Sequence, residues 1–391
     1  MQKTYVVIIV GAGPAGSMAA YHLAAQGCEV LLLEKVRLPR HKLCAGGLSP
    51  KAYRRLPFFI DDLVRARMER IVVWGVCGRG FSLSSKKATI WMIKRDEFDL
   101  RLVEEARRQG AQVRDEAKLT AIFQESGRVM AATSVGSYRG QLLIGADGAE
   151  STVAHLADFR RPKGGFMLAL EAEAAVGEDA LGDAALLDFG VPHGYGWAFP
   201  KGSTCSLGVE IFEPEAFRHV AGCVDAFVQR SGLGIRALAP CRGHRIPTRV
   251  RPKLNAGRVL LAGDAAGVAD PFFGEGISYA LKSGELAARS AVAFLQGQAG
   301  IDEHTRLIHQ TIARDQWAWS AVASVFYRFP TSPSGSSGPA GRFRPWPLRS
   351  SAVKGASPKP GLVRARHLTI RLAIVSKTRV FAPPQSCPFP C

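Results

Sequence analysis

Three absences narrow the reading of this chain. None of its 8 cysteines stands in a Cys-x-x-Cys, so neither a zinc ribbon nor a ferredoxin-type cluster is indicated. No apolar run approaches the ~18 residues of a membrane span, which excludes an integral helical membrane protein. The first apolar run, Tyr5–Val10, is short and leads into a glycine turn rather than a small-residue cleavage site, so it is not a secretory signal. A reduced, cytoplasmic protein is the expectation. Acidic residues are absent from Thr331 to Cys391, where 10 Lys and Arg stand unopposed. Residues 1–330 hold 41 basic and 33 acidic residues, so +10 of the net +18 belongs to the last 61 residues. The charge is therefore mostly a property of the tail, and no nucleic-acid partner is expected. That tail has 10 prolines, 9 serines and no sustained period. It reads as a basic arm for anionic membrane or RNA, as a disordered extension, or as text translated from a shifted frame; the last is favoured, and no function is assigned to it.

What is present is a folding chain: 47% hydrophobic residues over 391, enough for two or three domains. Tyr5–Val10 reads as a buried strand, Gly11-Ala-Gly-Pro-Ala-Gly16 follows, and an alanine-rich helix runs to about Gln26 with Gly27 as its stop. A second buried strand, Glu29–Leu33, ends on Glu34. In a dinucleotide fold, Gly11 permits the tight turn, Gly13 lets backbone approach a pyrophosphate, and Gly16 lets helix and strand pack closely. The helix N-terminus presents free amides to the phosphates, and Glu34 accepts from a ribose. Further on, Gly263-Asp264-Ala265-Ala266 ends another buried strand and Gly274-Glu-Gly-Ile277 opens a helix over about 275–296. A nicotinamide cofactor does not need this second site, whereas FAD does. Asp264 is placed to accept from ribityl hydroxyls, and the amides near Gly276 and Ile277 to hold the flavin's pyrimidine edge. Between these ends lie a helix at about 96–109, sheet-rich text over 166–212 and a helix at about 214–231.

With these elements the chain resembles the geranylgeranyl reductases, within the hydroxylase-fold FAD proteins. The resemblance covers residues 5–325 and rests on GAGPAG (11–16), LLLEK near Glu34, KLCAGGLSP (42–50), KRDEFDLRL (94–102), GADGAES (145–151), YGWAFPKG (195–202) and GRVLLAGDAAGVADPFFGEGISYAL (257–281). KLCAGGLS and the Y-x-W-x-F-P signature are the elements specific to the reductases. The implied fold class is α/β, a Rossmann-like FAD-binding domain interleaved with a mixed β-sheet substrate domain. The FAD-binding parts are expected at 1–60, 94–165 and 246–310, the substrate parts at 61–93 and 166–245, and a C-terminal helix at 311–330. By match, FAD contacts fall at Ala15, Glu34, Cys44, Ala45, Gly47, Arg95, Asp264, Gly276 and Ile277, beside Gly11, Gly13 and Gly16.

The resemblance implies FAD-dependent reduction of carbon–carbon double bonds in isoprenoid chains, with an isoprenoid or prenylated lipid as substrate. NADPH or a ferredoxin-like carrier would supply electrons, and the helix with Trp317, Trp319 and Phe326 is either a peripheral membrane contact for the lipid-bearing enzyme or ordinary core. Tyr195, Trp197 and Phe199 would wall the substrate cavity, although their alternation also suits a plain sandwich core. Cys44 is either a proton donor, a shaper of the pocket or a small residue fitting a crowded turn. Arg95 either reaches cofactor phosphate or pairs with Asp99 one turn on. The histidines, including His41 and His193, show no metal or triad spacing. Three departures from the family pattern stand out: Ala154 replaces a common arginine; Glu210 replaces the last glycine of a Gly-x-Gly, where an acid would narrow the pocket or alter which isoprenoid head group fits; and the C-terminal helical segment that helps close the substrate cavity is present only to about Phe329. The rivals are a flavin monooxygenase or halogenase on the same fold, and an FAD- or lipid-binding protein without turnover.

Overall fold

The uninterrupted apolar run at the N-terminus forms the strand Thr4–Val10 in the middle of an eight-stranded sheet. In the computed structural model its neighbours run, in order, Gln112–Arg114, Val30–Leu33, Thr4–Val10, Gly136–Gly145, Val259–Leu261 and Asn255–Ala256, with the hairpin Leu119–Glu125/Arg128–Thr133 attached to Gly136–Gly145. The first five are parallel, and Ile9 lies opposite both Leu32 and Ile144. Both faces of this sheet are buried, which is why its strands read as continuous rather than alternating apolar text. Ile9, Leu32, Ile144 and Leu260 pack on the helices Pro14–Ala24 and Ile277–Leu295. Ile8, Leu33 and Leu143 pack on the opposite side with Val153, Ile308 and Ile312. The two helices touch because position 284 is glycine: a Cβ there would lie 2.2 Å from the Ala15 carbonyl oxygen.

The second sheet also has eight strands, ordered Ala237–Leu238, Phe166–Ala175, Thr204–Ile211, Gly194–Pro200, Ala184–Asp188, Arg70–Val76 and Arg79–Ser84, with Arg242–Pro247 also on Phe166–Ala175. Its pairs are antiparallel apart from Ala184–Asp188 with Arg70–Val76. A small sheet of Gly47–Leu48, Ile90–Met92 and Ala66–Met68 adjoins it through the contact of Gly47 and Ile90 with Phe199. Segments of the two large sheets alternate along the chain, which is the interleaved α/β architecture expected from the motifs.

The structure describes residues 3–328, apart from 77–78, 86, 178–180, 213 and 236, all within the compact unit Met1–Leu348. The tail after Thr331, with its three readings, lies outside the described residues. Helix limits follow the sequence closely: Pro14–Ala24, Arg95–Arg108 and Ile277–Leu295. The stretch expected as a helix over 214–231 divides into a 3-10 segment, Pro214–His219, and the helix Val220–Ser231. Near the C-terminus, helix starts earlier than expected, running through Glu303–Ile308, a π turn at His309–Ala313 and Arg314–Arg328. The anchor is His304, fully buried with Nε2 2.7 Å from the Leu261 carbonyl oxygen. No helix among the described residues is long and apolar enough to cross a membrane.

Candidate functional site

Three backbone turns converge at one end of the first sheet. The turn Gly11–Gly16 is set by two contacts that only hydrogen tolerates. A Cβ at Gly16 would lie 1.9 Å from the Gly11 carbonyl oxygen, and one at Gly11, where φ is +104°, would lie 2.4 Å from that of Ala146. Gly13 differs: a Cβ there would meet only Arg40 Nη2, at 3.7 Å. Glu34 is buried, accepting from the Ala12 amide at 3.0 Å, the Lys35 amide at 2.9 Å and Arg40 Nε at 3.1 Å. The second turn carries Asp264 and rests on the first, since a Cβ at Gly263 would lie 2.8 Å from that of Ala15. The third, Gly274–Ile277, is tied to the Cys44–Ser49 loop by a short hydrogen bond from Ser49 to Glu275.

The Cys44 loop is the hub. The Cys44 amide donates to Glu171 Oε1 at 3.2 Å, and the Gly46 amide donates to Cys44 Sγ at 3.4 Å. Arg95 makes a bidentate pair with Asp99, at 2.9 and 3.0 Å, and its charge is also felt by Cys44 nearby. Burial opposes the Arg95 charge, but Asp99 and then Cys44 outweigh it and raise its pKa. Of the two expectations for Arg95, the structure shows the Asp99 pair. Arg40 Nη1 also bonds Asp99, at 3.2 Å. Asp99 thus neutralises two guanidinium groups while 1% exposed. Asp99→Ala should strand the buried Arg95 guanidinium and leave Arg40 with Glu34 alone, destabilising the fold by about 3–5 kcal/mol in urea unfolding.

Sequence reasoning missed three members of this group. Lys42 Nζ lies 3.1 Å from His244 Nε2. Burial lowers the Lys42 pKa, with Arg95 and Arg40 adding to the effect against Asp264 and Cys44. Burial, then Lys42, push His244 down to about 4, so a neutral imidazole faces the ammonium. Glu171 is 6% exposed and raised to about 7, chiefly by burial and also by Glu173, against Lys201 and the Cys44 amide. The signal for Glu171 was the strand text LALEAEAA, whose alternation places Glu171 and Glu173 on the face of Ala169. Nothing local marks His244.

Tyr195, Trp197 and Phe199 alternate with small residues, and each face has its own partner. A Cβ at Gly196 would lie 2.6 Å from the Phe227 ring of helix Val220–Ser231. The aromatic face packs with Ala45, Phe272, Trp319 and Phe326 in one apolar cluster. A Cβ at Gly47 would lie 3.5 Å from the Phe199 ring. Tyr195 Oη lies 3.0 Å from Glu210 Oε2 and 2.8 Å from the Phe273 carbonyl oxygen. Its one hydrogen cannot serve both acceptors, but a protonated Glu210 resolves this by donating to the phenol. Burial, helped by Asp270, raises the Glu210 pKa to about 8 despite the Tyr195 bond. The other oxygen, Oε1, is buried without a hydrogen-bond partner among the described residues, and a Cβ at Gly274 would lie 2.2 Å from it. Trp317 is 76% exposed, whereas Trp319 and Phe326 pack inward, so the expected membrane-facing trio divides.

The arrangement fits FAD. Both relevant helices start at glycine, Gly13 and Gly276, without a side-chain cap. Their first turns hold Ser17 and Ser278, whose buried hydroxyls have no hydrogen-bond partner among the described residues. A Cβ at Gly276 would meet only Asp264, at 3.8 Å. Free amides and buried unpaired donors around open glycines suit a cofactor with phosphates and a polar ring edge.

An FAD binding domain model matches residues 3–172. An uncharacterized protein of Methanosarcina barkeri is 36% identical over 290 residues, covering 73% of this chain and 74% of its own. The geranylgeranyl diphosphate reductase of Rhodobacter capsulatus is 31% identical over 314 residues, covering 75% of this chain and 76% of its own. The chain belongs to the geranylgeranyl reductase family. Its cofactor is FAD, and it is an FAD-dependent oxidoreductase by family. Digeranylgeranylglycerophospholipid reductase 1 of Methanopyrus kandleri is also 31% identical, over 74% of this chain and 81% of its own. Among solved structures, a geranylgeranyl bacteriochlorophyll reductase-like protein of Thermoplasma acidophilum superposes with a TM-score of 0.77 at 23% identity, covering 85% of this chain and 89% of that one. A flavin-dependent brominase shares the fold, with a TM-score of 0.70 at 20% identity over 84% of this chain and 88% of that one.

Proposed function

We propose that this family member reduces carbon–carbon double bonds of geranylgeranyl chains, with FAD held by Gly11, Gly13, Ala15, Gly16, Glu34, Cys44, Ala45, Gly47, Arg95, Asp264, Gly276 and Ile277. The observation that carries the reading is the position of the Cys44–Gly47 loop, with Glu171 bonded to the Cys44 amide, the Arg95 charge beside Cys44, and the Tyr195–Trp197–Phe199 face packed on Ala45 and Gly47. When bound and reduced, FAD supplies a hydride. An unactivated alkene accepts hydride poorly, so the protein must hold the bond in line and deliver a proton in step. The aromatic face provides the apolar wall for the chain. Cys44 gives its thiol proton to the second carbon, and the amide of Gly46 and the guanidinium of Arg95 steady the sulfur that remains.

The 1–60, 94–165 and 246–310 segments form the cofactor half, 61–93 and 166–245 the substrate half, and 311–330 the closing helix. Head groups of this class are diphosphate, glycerolipid, chlorophyll or quinone, and the names of the relatives favour the first two. Trp317, Val322 and Val325, exposed on helix Arg314–Arg328, would meet the membrane holding the lipid. NADPH or a ferredoxin-like carrier delivers electrons. The test is anaerobic: the dithionite-reduced protein is mixed with geranylgeranyl diphosphate or a geranylgeranylated lipid, and flavin absorbance near 450 nm is followed. Reoxidation dependent on the alkene is the expected result. A flavin that stays reduced with every such substrate refutes the reading.

A further inference from the structure

The reading of Cys44 as proton donor leaves open how the thiol is recharged, and the residues around it contain an answer. Glu171 stands beside Cys44 in the middle of strand Phe166–Ala175, with Oε1 3.2 Å from the Cys44 amide. Ser206, on the neighbouring strand Thr204–Ile211, influences the Glu171 carboxyl group, and Trp197 Nε1 is 3.5 Å from Ser206 Oγ. Glu171 is therefore bonded to the sulfur-bearing loop and stands next to the aromatic wall. It also has a way out. Lys201 Nζ bonds Glu173 at 2.7 Å, and Nζ passes 3.3 Å from where a Cβ on Gly46 would sit. The Glu173 side chain is 41% exposed while that of Lys201 is 5% exposed, so the pair leads from the buried Glu171 to solvent.

We infer that Glu171 is a positioning acid that controls the proton on Cys44. The inference rests on the proposed reductase reading. In each turnover the Cys44 S–H bond breaks as the proton passes to the alkene carbon that has not received hydride. The Glu171 O–H bond then breaks and S–H re-forms. The Glu171 carboxylate regains a proton from solvent beside the Lys201–Glu173 pair, so one proton from water is consumed per bond reduced. An ordinary surface carboxylate, ionised well below neutral pH, has no proton to give under these conditions, whereas a buried one keeps it. The charges facing Glu171 are Lys201, Glu173 and, across the strand pair, Arg242, with His244 opposite Ala169. Those facing Cys44 are Arg95 and Lys42.

The test reads the thiol directly. FAD-loaded full-length protein is treated with iodoacetamide from pH 6 to 9, and alkylation of the Cys44 peptide is followed by mass spectrometry, with C44S identifying that peptide. Glu171→Gln keeps an acceptor for the Cys44 amide and removes the charge. Its midpoint should fall by about one pH unit, or roughly tenfold more thiolate at a given pH below the midpoint, and Glu171→Asp should restore the parent curve. Identical curves for parent and Glu171→Gln overturn the inference. So does a shift seen only in Glu171→Ala, because that would mark Glu171 as a mere prop for the loop. A moved midpoint in a protein that reduces no alkene would uphold the coupling and refute the reductase reading; reduction with an unmoved midpoint would do the reverse.

Discussion

Gly13→Val is expected to give a protein that folds as the parent does, within about 0.5 kcal/mol, yet purifies without flavin. Gly13 has φ of −84°, open to any residue, and among the described residues only Arg40 Nη2 approaches its missing Cβ. The added side chain therefore points into the space before the amides of helix Pro14–Ala24, where a pyrophosphate must sit. Loss of FAD affinity by at least about 100-fold, or close to 3 kcal/mol, should be seen by titrating apoprotein with FAD, alongside an unchanged urea midpoint. Gly16→Val should fail differently, because the Gly11 carbonyl already occupies its Cβ position and the strand–helix junction itself would be forced apart. A Gly13→Val protein that binds FAD normally would place the cofactor elsewhere.

The second large effect concerns Glu210 and pH. The folded protein holds the Glu210 proton up to about pH 8, whereas an unfolded chain releases it near 4.5. Folding thus takes up a proton between these values, and stability falls as pH rises through that window and levels off above it. At ~1.4 kcal/mol per pH unit, this one group should cost about 2 kcal/mol between pH 6 and pH 8. Glu171, raised to about 7, adds a loss of the same sign that levels off sooner. Glu210→Gln can donate to Tyr195 as the neutral acid does, so it should match the parent at pH 6 and lose much of the decline by pH 8. Glu210→Ala removes the donor and leaves a void beside Gly274, at a cost of about 2–4 kcal/mol throughout. Thermal or urea unfolding across pH 5–9 checks all three. A parent curve that is flat over pH 6–8 would mean that Glu210 is ionised and that the phenol's hydrogen goes to it rather than to Phe273.

The cofactor half of the fold was legible because its physics is local. Close backbone approach admits only glycine at 11 and 16, and sheet faces buried on both sides admit only apolar runs. These constraints leave a fixed spacing in the text. The Cys44 surroundings obey no such spacing. Glu171, Lys201, Lys42 and His244 come from four separate stretches that meet only when the second sheet packs against the loop, so sequence neighbours say little about them. Burial then changes their chemistry: Glu171 in a surface strand would be an ordinary carboxylate. Arg95 shows an intermediate case. Its spacing to Asp99 foretold the ion pair, while its place beside Cys44 depends on where the loop folds. The aromatic trio was ambiguous for the same reason, since period-two spacing fixes which residues share a face but not what that face meets. The departure at Glu210 was visible in the sequence. Its role in the Tyr195–Phe273 contact required the fold.

Product mass is the most direct test of the central claim. The protein, reduced and kept under nitrogen, is incubated with geranylgeranyl diphosphate or its glycerolipid, and a parallel sample receives air. Gain of two hydrogens per reacted double bond, without need for oxygen, is the predicted result. Products heavier by an oxygen atom, formed only in air, would contradict it and establish a monooxygenase on this fold.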